Sequence, residues 1–137
     1  MINADKQVRS TRDDDKWLYK ELTHKIIGCC YKIHNELGAG HKESLYQKAL
    51  AIILKEQKIS FIQEVNIPIK FRNQEVGNYR PDFIVEDKVI LETKAVDFMP
   101  KQYEVQLVRY LNGSNFKIGL LINFGTAKVQ IKRRIAT

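Results

Sequence analysis

Between Arg80 and Ala95 the chain reads RPDFIVEDKVILETKA, two short apolar strands folded back on each other around a charged turn. An aspartate opens the first strand and a Glu-Thr-Lys closes the second. A hairpin that only had to bury apolar side chains has no use for three charges converging at one end. Asp82, Glu92 and Lys94 therefore bear on what this segment is for as well as on how it pairs.

Pairing register decides which side chains share a face. A two-residue turn at Asp87-Lys88 would set Glu86 against Val89 and Phe83 against Glu92, sending Asp82 and Glu92 to opposite faces. A three-residue loop, Glu86-Asp87-Lys88, sets Val85 against Val89, Ile84 against Ile90, Phe83 against Leu91 and Asp82 against Glu92. Each apolar pair contributes roughly 0.2–1 kcal/mol, so the second register is expected. It brings two carboxylates within about 5 Å of each other, with Lys94 next on the Glu92 face. Carboxylates that close repel unless a cation sits between them. A hard divalent ion with oxygen ligands, Mg2+ or Mn2+, fits the pair, and a lysine alongside positions a water or offsets charge on a phosphate. A solvated strand end with a Glu–Lys pair is the plainer reading of the same string.

The periodicities around the hairpin differ. From about Asp14, the residues Leu18, Leu22, Ile26, Cys29, Ile33 and Leu37 recur in steps of three and four, predicting a long amphipathic helix that Gly38-Ala39-Gly40 stops. A second helix is expected from about Lys42 to Gln57. ISFIQEVNIPIKF follows as a half-buried strand in which Val65, Ile67, Ile69 and Phe71 alternate, with Pro68 placing it near a sheet edge. Arg72-Asn73-Gln74 turns it into the short strand EVGNY, and the hairpin comes next. Pro100 sits where a helix begins, and KQYEVQLVRYLNG carries Tyr103, Leu107, Tyr110 and Leu111 before Gly113 ends it. FKIGLLINF and AKVQIKRRI are the last two strands, turning at Gly125-Thr126. The expected order is α-α-β-β-β-β-α-β-β, an α/β (α+β) domain over residues 14–137 behind a disordered polar tail over residues 1–13.

A chain of 137 residues, 44% hydrophobic and 28% charged, is long enough to bury a core without disulfides. No apolar run approaches about 18 residues, and the N-terminus lacks the apolar segment of a signal peptide. Adjacent cysteines, Cys29 and Cys30, are poorly spaced for a bridge or a zinc site and read as reduced, small apolar side chains. A cytoplasmic protein with no membrane partner is expected. The net charge of +7 favours a polyanionic partner such as nucleic acid. His24, His34 and His41 show no metal spacing, and His41 reads as an exposed loop residue. The basic run Lys128, Lys132, Arg133 and Arg134 suits either a backbone phosphate contact or a lysine-protected edge strand, and both readings stay open.

Pro81-Asp82, then Glu92-x-Lys94 across a hairpin, then Gln106-x-x-x-Tyr110 on the following helix resembles the PD-(D/E)xK nuclease superfamily, with the helix motif of its RecB-type members. Gly40, Glu43 and Tyr46 in GHKESLY resemble the signature of the small bacterial GxxExxY family within it, as does the stretch from Gly119 to Arg134. The resemblance runs from about Leu22 to Ile135. It implies a restriction-endonuclease-like core, a mixed central β-sheet flanked by helices, with a metal site at the end of the hairpin. By position it implies that Asp82 and Glu92 are metal ligands, joined by the Thr93 backbone carbonyl, and that Lys94 is the catalytic lysine. Glu43 becomes the remaining acidic site residue, binding metal directly or through water. Gln106 and Tyr110 become residues that line the site and steady Lys94 or the substrate phosphate.

The implied activity is that of a Mg2+- or Mn2+-dependent nuclease hydrolysing phosphodiester bonds in DNA. Little sequence preference is expected, because so short a chain has little beyond the core to read bases. A homodimer would supply the two sites that cutting both strands needs. The alternative is a catalytically inactive nuclease-fold module that binds nucleic acid or a protein partner, against which the intact Asp-Glu-Lys set argues. An enzyme acting on phosphate in something other than a polymer is the third class.

Overall fold

The structure, a computed structural model, describes residues 19–137. The tail expected over residues 1–13 and the first turn of the helix expected from Asp14 lie outside the described residues. Apolar spacing of three and four winds Lys20–Leu37 into helix α1, which buries Ile26, Cys29, Cys30 and Ile33 along one side. Helix α2, Glu43–Glu56, buries Tyr46, Leu50 and Leu54, and helix α3, Lys101–Asn112, starts behind Pro100 and buries Leu107 and Leu111. The strands are β1 Phe61–Gln63, β2 Ile67–Phe71, β3 Gln74–Tyr79, β4 Phe83–Val85, β5 Val89–Lys94, β6 Ile118–Asn123 and β7 Gln130–Ile135.

Five of them form one mixed sheet in the order β1-β4-β5-β6-β7. Strands β5 and β6 run parallel and the other neighbours antiparallel. Parallel neighbours need a long crossover, and α3 is that crossover. Alternation along the strands then sorts the core into two layers. Phe83, Val85, Val89, Leu91, Ile118, Leu120 and Ile122 pack under α1 and α2, while Ile90 and Leu121 face α3. Helix α3 lies close: a Cβ at Gly119 would come within 2.8 Å of the Leu107 side chain. This is the α/β arrangement expected from the sequence, a central mixed sheet flanked by helices.

The segment expected to form one strand, ISFIQEVNIPIKF, folds as two. Glu64, at φ 54°, breaks the run. It is held there because its carbonyl accepts from Arg80 Nε at 2.9 Å and its carboxylate pairs with the same guanidinium. Strand β1 joins the main sheet beside β4, whereas β2 and β3 pair only with each other. The physical reason is burial. Ile67, Ile69 and Tyr79 find apolar cover against Leu107 and Leu111 of α3, so this ribbon docks on the helix layer instead of extending the sheet.

Candidate active site

The register argued from the apolar pairs is the one found: Val85 opposite Val89, Ile84 opposite Ile90 and Phe83 opposite Leu91. Glu86 and Asp87 carry the loop at φ 54° and 55°. The Glu86 carboxylate accepts from the amide and hydroxyl of Ser60, which ties this tip to β1. With the closed end settled, the open end follows. Strand β4 stops at Phe83, so Asp82 leaves the sheet where β5 runs on through Glu92, Thr93 and Lys94.

At that end the Asp82 amide donates to Glu92 Oε1 at 2.9 Å. Asp82 Oδ2 accepts from the Thr93 amide at 2.7 Å and from the Thr93 hydroxyl at 2.9 Å. Thr93 is fully buried, and its hydroxyl also accepts from Gln47 Nε2 of α2 at 2.9 Å. The same Gln47 nitrogen lies 3.3 Å from Glu43 Oε2 and donates to it. Hydrogen bonds therefore run without a break from Glu43 through Gln47, Thr93 and Asp82 to Glu92. In an extended strand the N–H and C=O of one residue point to the same side. Because the Thr93 amide faces Asp82, its carbonyl faces the gap that β4 leaves, while the Lys94 carbonyl turns to β6 and accepts from the Phe124 amide at 2.8 Å.

Glu92 and Lys94 share the face of β5 that carries Ile90, the α3 side. The Lys94 ammonium sits 4.5 Å from the centre of the Tyr103 ring, a cation over an aromatic face. Tyr110 stacks on Tyr79 with ring centres 3.9 Å and planes 6° apart, and its hydroxyl accepts from Gln106 Nε2 at 3.2 Å. The Tyr79 hydroxyl is buried and near enough to Glu92 for each to perturb the other's ionisation, yet it has no well-formed hydrogen bond among the described residues.

Burial first, and then the Asp82 carboxylate beside it, push Glu92 up to about 7, while the Asp82 amide and the Lys94 ammonium pull against them. Glu43 is raised as well, by burial and then by Asp82, with Lys94 opposing. Three carboxylates thus share one field with one ammonium, and the site carries more negative charge than it balances. Among the described residues no three of His, Cys, Asp and Glu gather into a ready-made metal cage. Mg2+ needs none, since it takes one or two carboxylates and completes its shell with water and substrate oxygens. Asp82, Glu92 and the Thr93 carbonyl are hard oxygen donors of that kind, and the buried Tyr79 hydroxyl stands beside Glu92. The residues fit such an ion.

Of the residues singled out in the sequence, Asp82, Glu92, Thr93, Lys94 and Glu43 come together. Gln106 is exposed, and it and Tyr110 reach the cluster through Tyr79. Tyr46 shares a motif with Glu43 but not its surroundings. Fully buried, it stacks on Phe124 at 4.6 Å, donates to the Gly38 carbonyl at 2.5 Å and accepts from the His41 amide at 3.2 Å, stapling the α1–α2 turn. Arg134 of the basic run pairs with Glu104 on α3, which ties β7 to that helix. Sequence reading missed three participants. Gln47 had a signal in its spacing, four residues beyond Glu43 on one helix face, and Tyr103 lies three before Gln106. Tyr79 had none, because its place depends on how the ribbon docks. Cys29 and Cys30 are buried, and burial pushes both thiols up, as suits inert core side chains.

A mixed sheet with helices on both faces, and an acidic pair followed by a lysine at the open end of a central hairpin, defines the restriction-endonuclease-like class. Residues 20–134 match the family model of the PD-(D/E)XK nuclease superfamily, and the chain belongs to that superfamily. Neither the curated proteins nor the solved structures hold a match to it. No helix among the described residues is long and apolar enough to cross a membrane.

Proposed function

We propose that this protein is a divalent-metal-dependent nuclease that hydrolyses phosphodiester bonds in DNA, and that Gly40, Glu43 and Tyr46 mark it as a GxxExxY-type member of its superfamily. One observation carries the reading: Glu43 of α2 and Asp82 and Glu92 of the hairpin share a partly buried field whose nearby cation is Lys94, at the open end of that hairpin. Perturbed carboxylates grouped this way are characteristic of catalytic sites. Asp82, Glu92 and the Thr93 carbonyl would hold a Mg2+ or Mn2+ ion, which when bound would supply charge neutralisation at the phosphate and acidity to a water. Thr93, itself held by Gln47, keeps Asp82 oriented. Lys94, resting on Tyr103, orients the attacking water and offsets charge gathering on the phosphoryl oxygens. That water's oxygen bonds to phosphorus, the bond to the leaving sugar oxygen breaks, and protons exchange with solvent. Gln106 and Tyr110 steady the substrate backbone. Weak sequence preference and a homodimer that pairs two sites belong to the same reading; cleavage of oligonucleotides of varied sequence tests the first, and sedimentation on and off DNA tests the second.

The test is a manganese titration by calorimetry on wild type, Asp82→Ala and Lys94→Ala, with cleavage of labelled oligonucleotides alongside. Binding should vanish in Asp82→Ala and persist in Lys94→Ala, which should cut at least about 100-fold more slowly. Cleavage that survives both substitutions would sink the assignment. The second reading is a non-catalytic recognition module. It predicts no manganese heat and no cleavage from the wild type.

A further inference from the structure

The loop joining β5 to α3 leaves the candidate site and carries Phe98, at 78% the most exposed large apolar side chain among the described residues. A single exposed apolar residue is ordinary. One whose backbone is held on both flanks, four residues from Lys94, is a different matter. On the near side of the tip, Ala95 packs into the α1–α2 core layer. Val96 is clamped through both backbone groups: its amide donates to Asn123 Oδ1 and its carbonyl accepts from Asn123 Nδ2, each at 3.0 Å. Asn123 is itself fully buried and also binds the Gly125 amide and the Gln130 side chain, so its amide group is fully committed. Gly125 closes the clamp. A Cβ there would stand 2.4 Å from both the nitrogen and the oxygen of Val96, so only glycine lets the two backbones touch. On the far side, Met99 packs into the α3 layer, and the Pro100 carbonyl accepts from the Tyr103 amide at 3.1 Å. Only Asp97 and Phe98 are left exposed between two anchored flanks.

We propose that this tip is a base-contacting element, Phe98 stacking on an unpaired nucleobase beside the scissile phosphate, so that the substrate class is DNA with unpaired nucleotides and not intact duplex. The proposal deepens the nuclease reading and rests on it. Aromatic faces stack on any base and give affinity without sequence preference. A pre-ordered platform gives up little entropy when it does so. Asp97 points the same way, because a carboxylate repels backbone phosphates but accepts from the exocyclic amines that an unpaired base presents. The chain's charge of +7 supplies the attraction for the backbone.

Fluorescence anisotropy in Ca2+ buffer, with single-stranded and duplex oligonucleotides of equal length, tests this on wild type, Phe98→Ala and Phe98→Trp. Phe98→Ala should bind the single strand about tenfold more weakly, equivalent to about 1.4 kcal/mol. Its duplex binding and melting temperature should not change, and Phe98→Trp should bind at least as tightly as wild type. A 2-aminopurine base in the strand should be quenched by wild type and Phe98→Trp but not by Phe98→Ala. If wild type binds and Phe98→Ala matches it on both substrates, the base contact is refuted while the nuclease reading stands. If wild type binds neither oligonucleotide, the nuclease reading falls and takes this proposal with it.

Discussion

Glu92 shows how one side chain registers its surroundings. Its carboxyl titrates at about 7 in the folded chain against an ordinary value of 4.5. Between those values the folded state binds more protons than the unfolded one, so this group favours folding at low pH and progressively opposes it as the pH rises to 7. At about 1.4 kcal/mol per unit, discounted for partial exposure, the effect is roughly 1–3 kcal/mol. In metal-free buffer Glu92→Gln should therefore be more stable than wild type at pH 7.5 and lose that advantage at pH 4.5. Urea unfolding at the two pH values measures it, and parallel pH profiles would contradict it. Tyr46 poses the converse case, a motif residue engaged in packing. Tyr46→Phe should lower stability by about 1–2 kcal/mol through the lost bonds to Gly38 and His41. Manganese affinity in the same variant should stay at the wild-type value.

At the scale of elements, the hairpin was legible because its register is a local property: apolar residues want apolar partners, and a three-residue loop provides them. The helices were legible for a similar reason, since periodicity reports which side is buried. The split between β1 and β2 was not, because alternation continues across a kink whose cause, Arg80, lies 16 residues away. The Asn123–Val96–Gly125 clamp belongs to the same class of long-range feature. Gly125→Ala should force the β5–α3 loop away from the β6 terminus and cost roughly 1–3 kcal/mol. The same substitution should slow cleavage by moving the backbone just beyond Lys94. Chemical denaturation and single-turnover cleavage read the two effects, and an unperturbed Gly125→Ala would mean the clamp is slack.

For the whole molecule, a charge of +7 on 137 residues predicts salt-sensitive binding to DNA. With about four phosphates contacted on a single strand, affinity should fall roughly 50-fold between 50 and 200 mM salt. An anisotropy series over that range checks it, and a flat response would remove electrostatics from the account. The sequence by itself determined the helices, the hairpin and its register, and the clustering of Asp82, Glu92, Thr93 and Lys94, because each rests on local periodicity or on neighbours in one strand pair. Only the tertiary structure decided that Glu43 and Gln47 reach Asp82 and Thr93, that the ribbon docks on α3 and sets Tyr79 against Tyr110, and that Lys94 rests on Tyr103. Those contacts depend on which buried faces meet. A pattern of apolar residues says that a face must be covered, and the packing of the layers alone says by what.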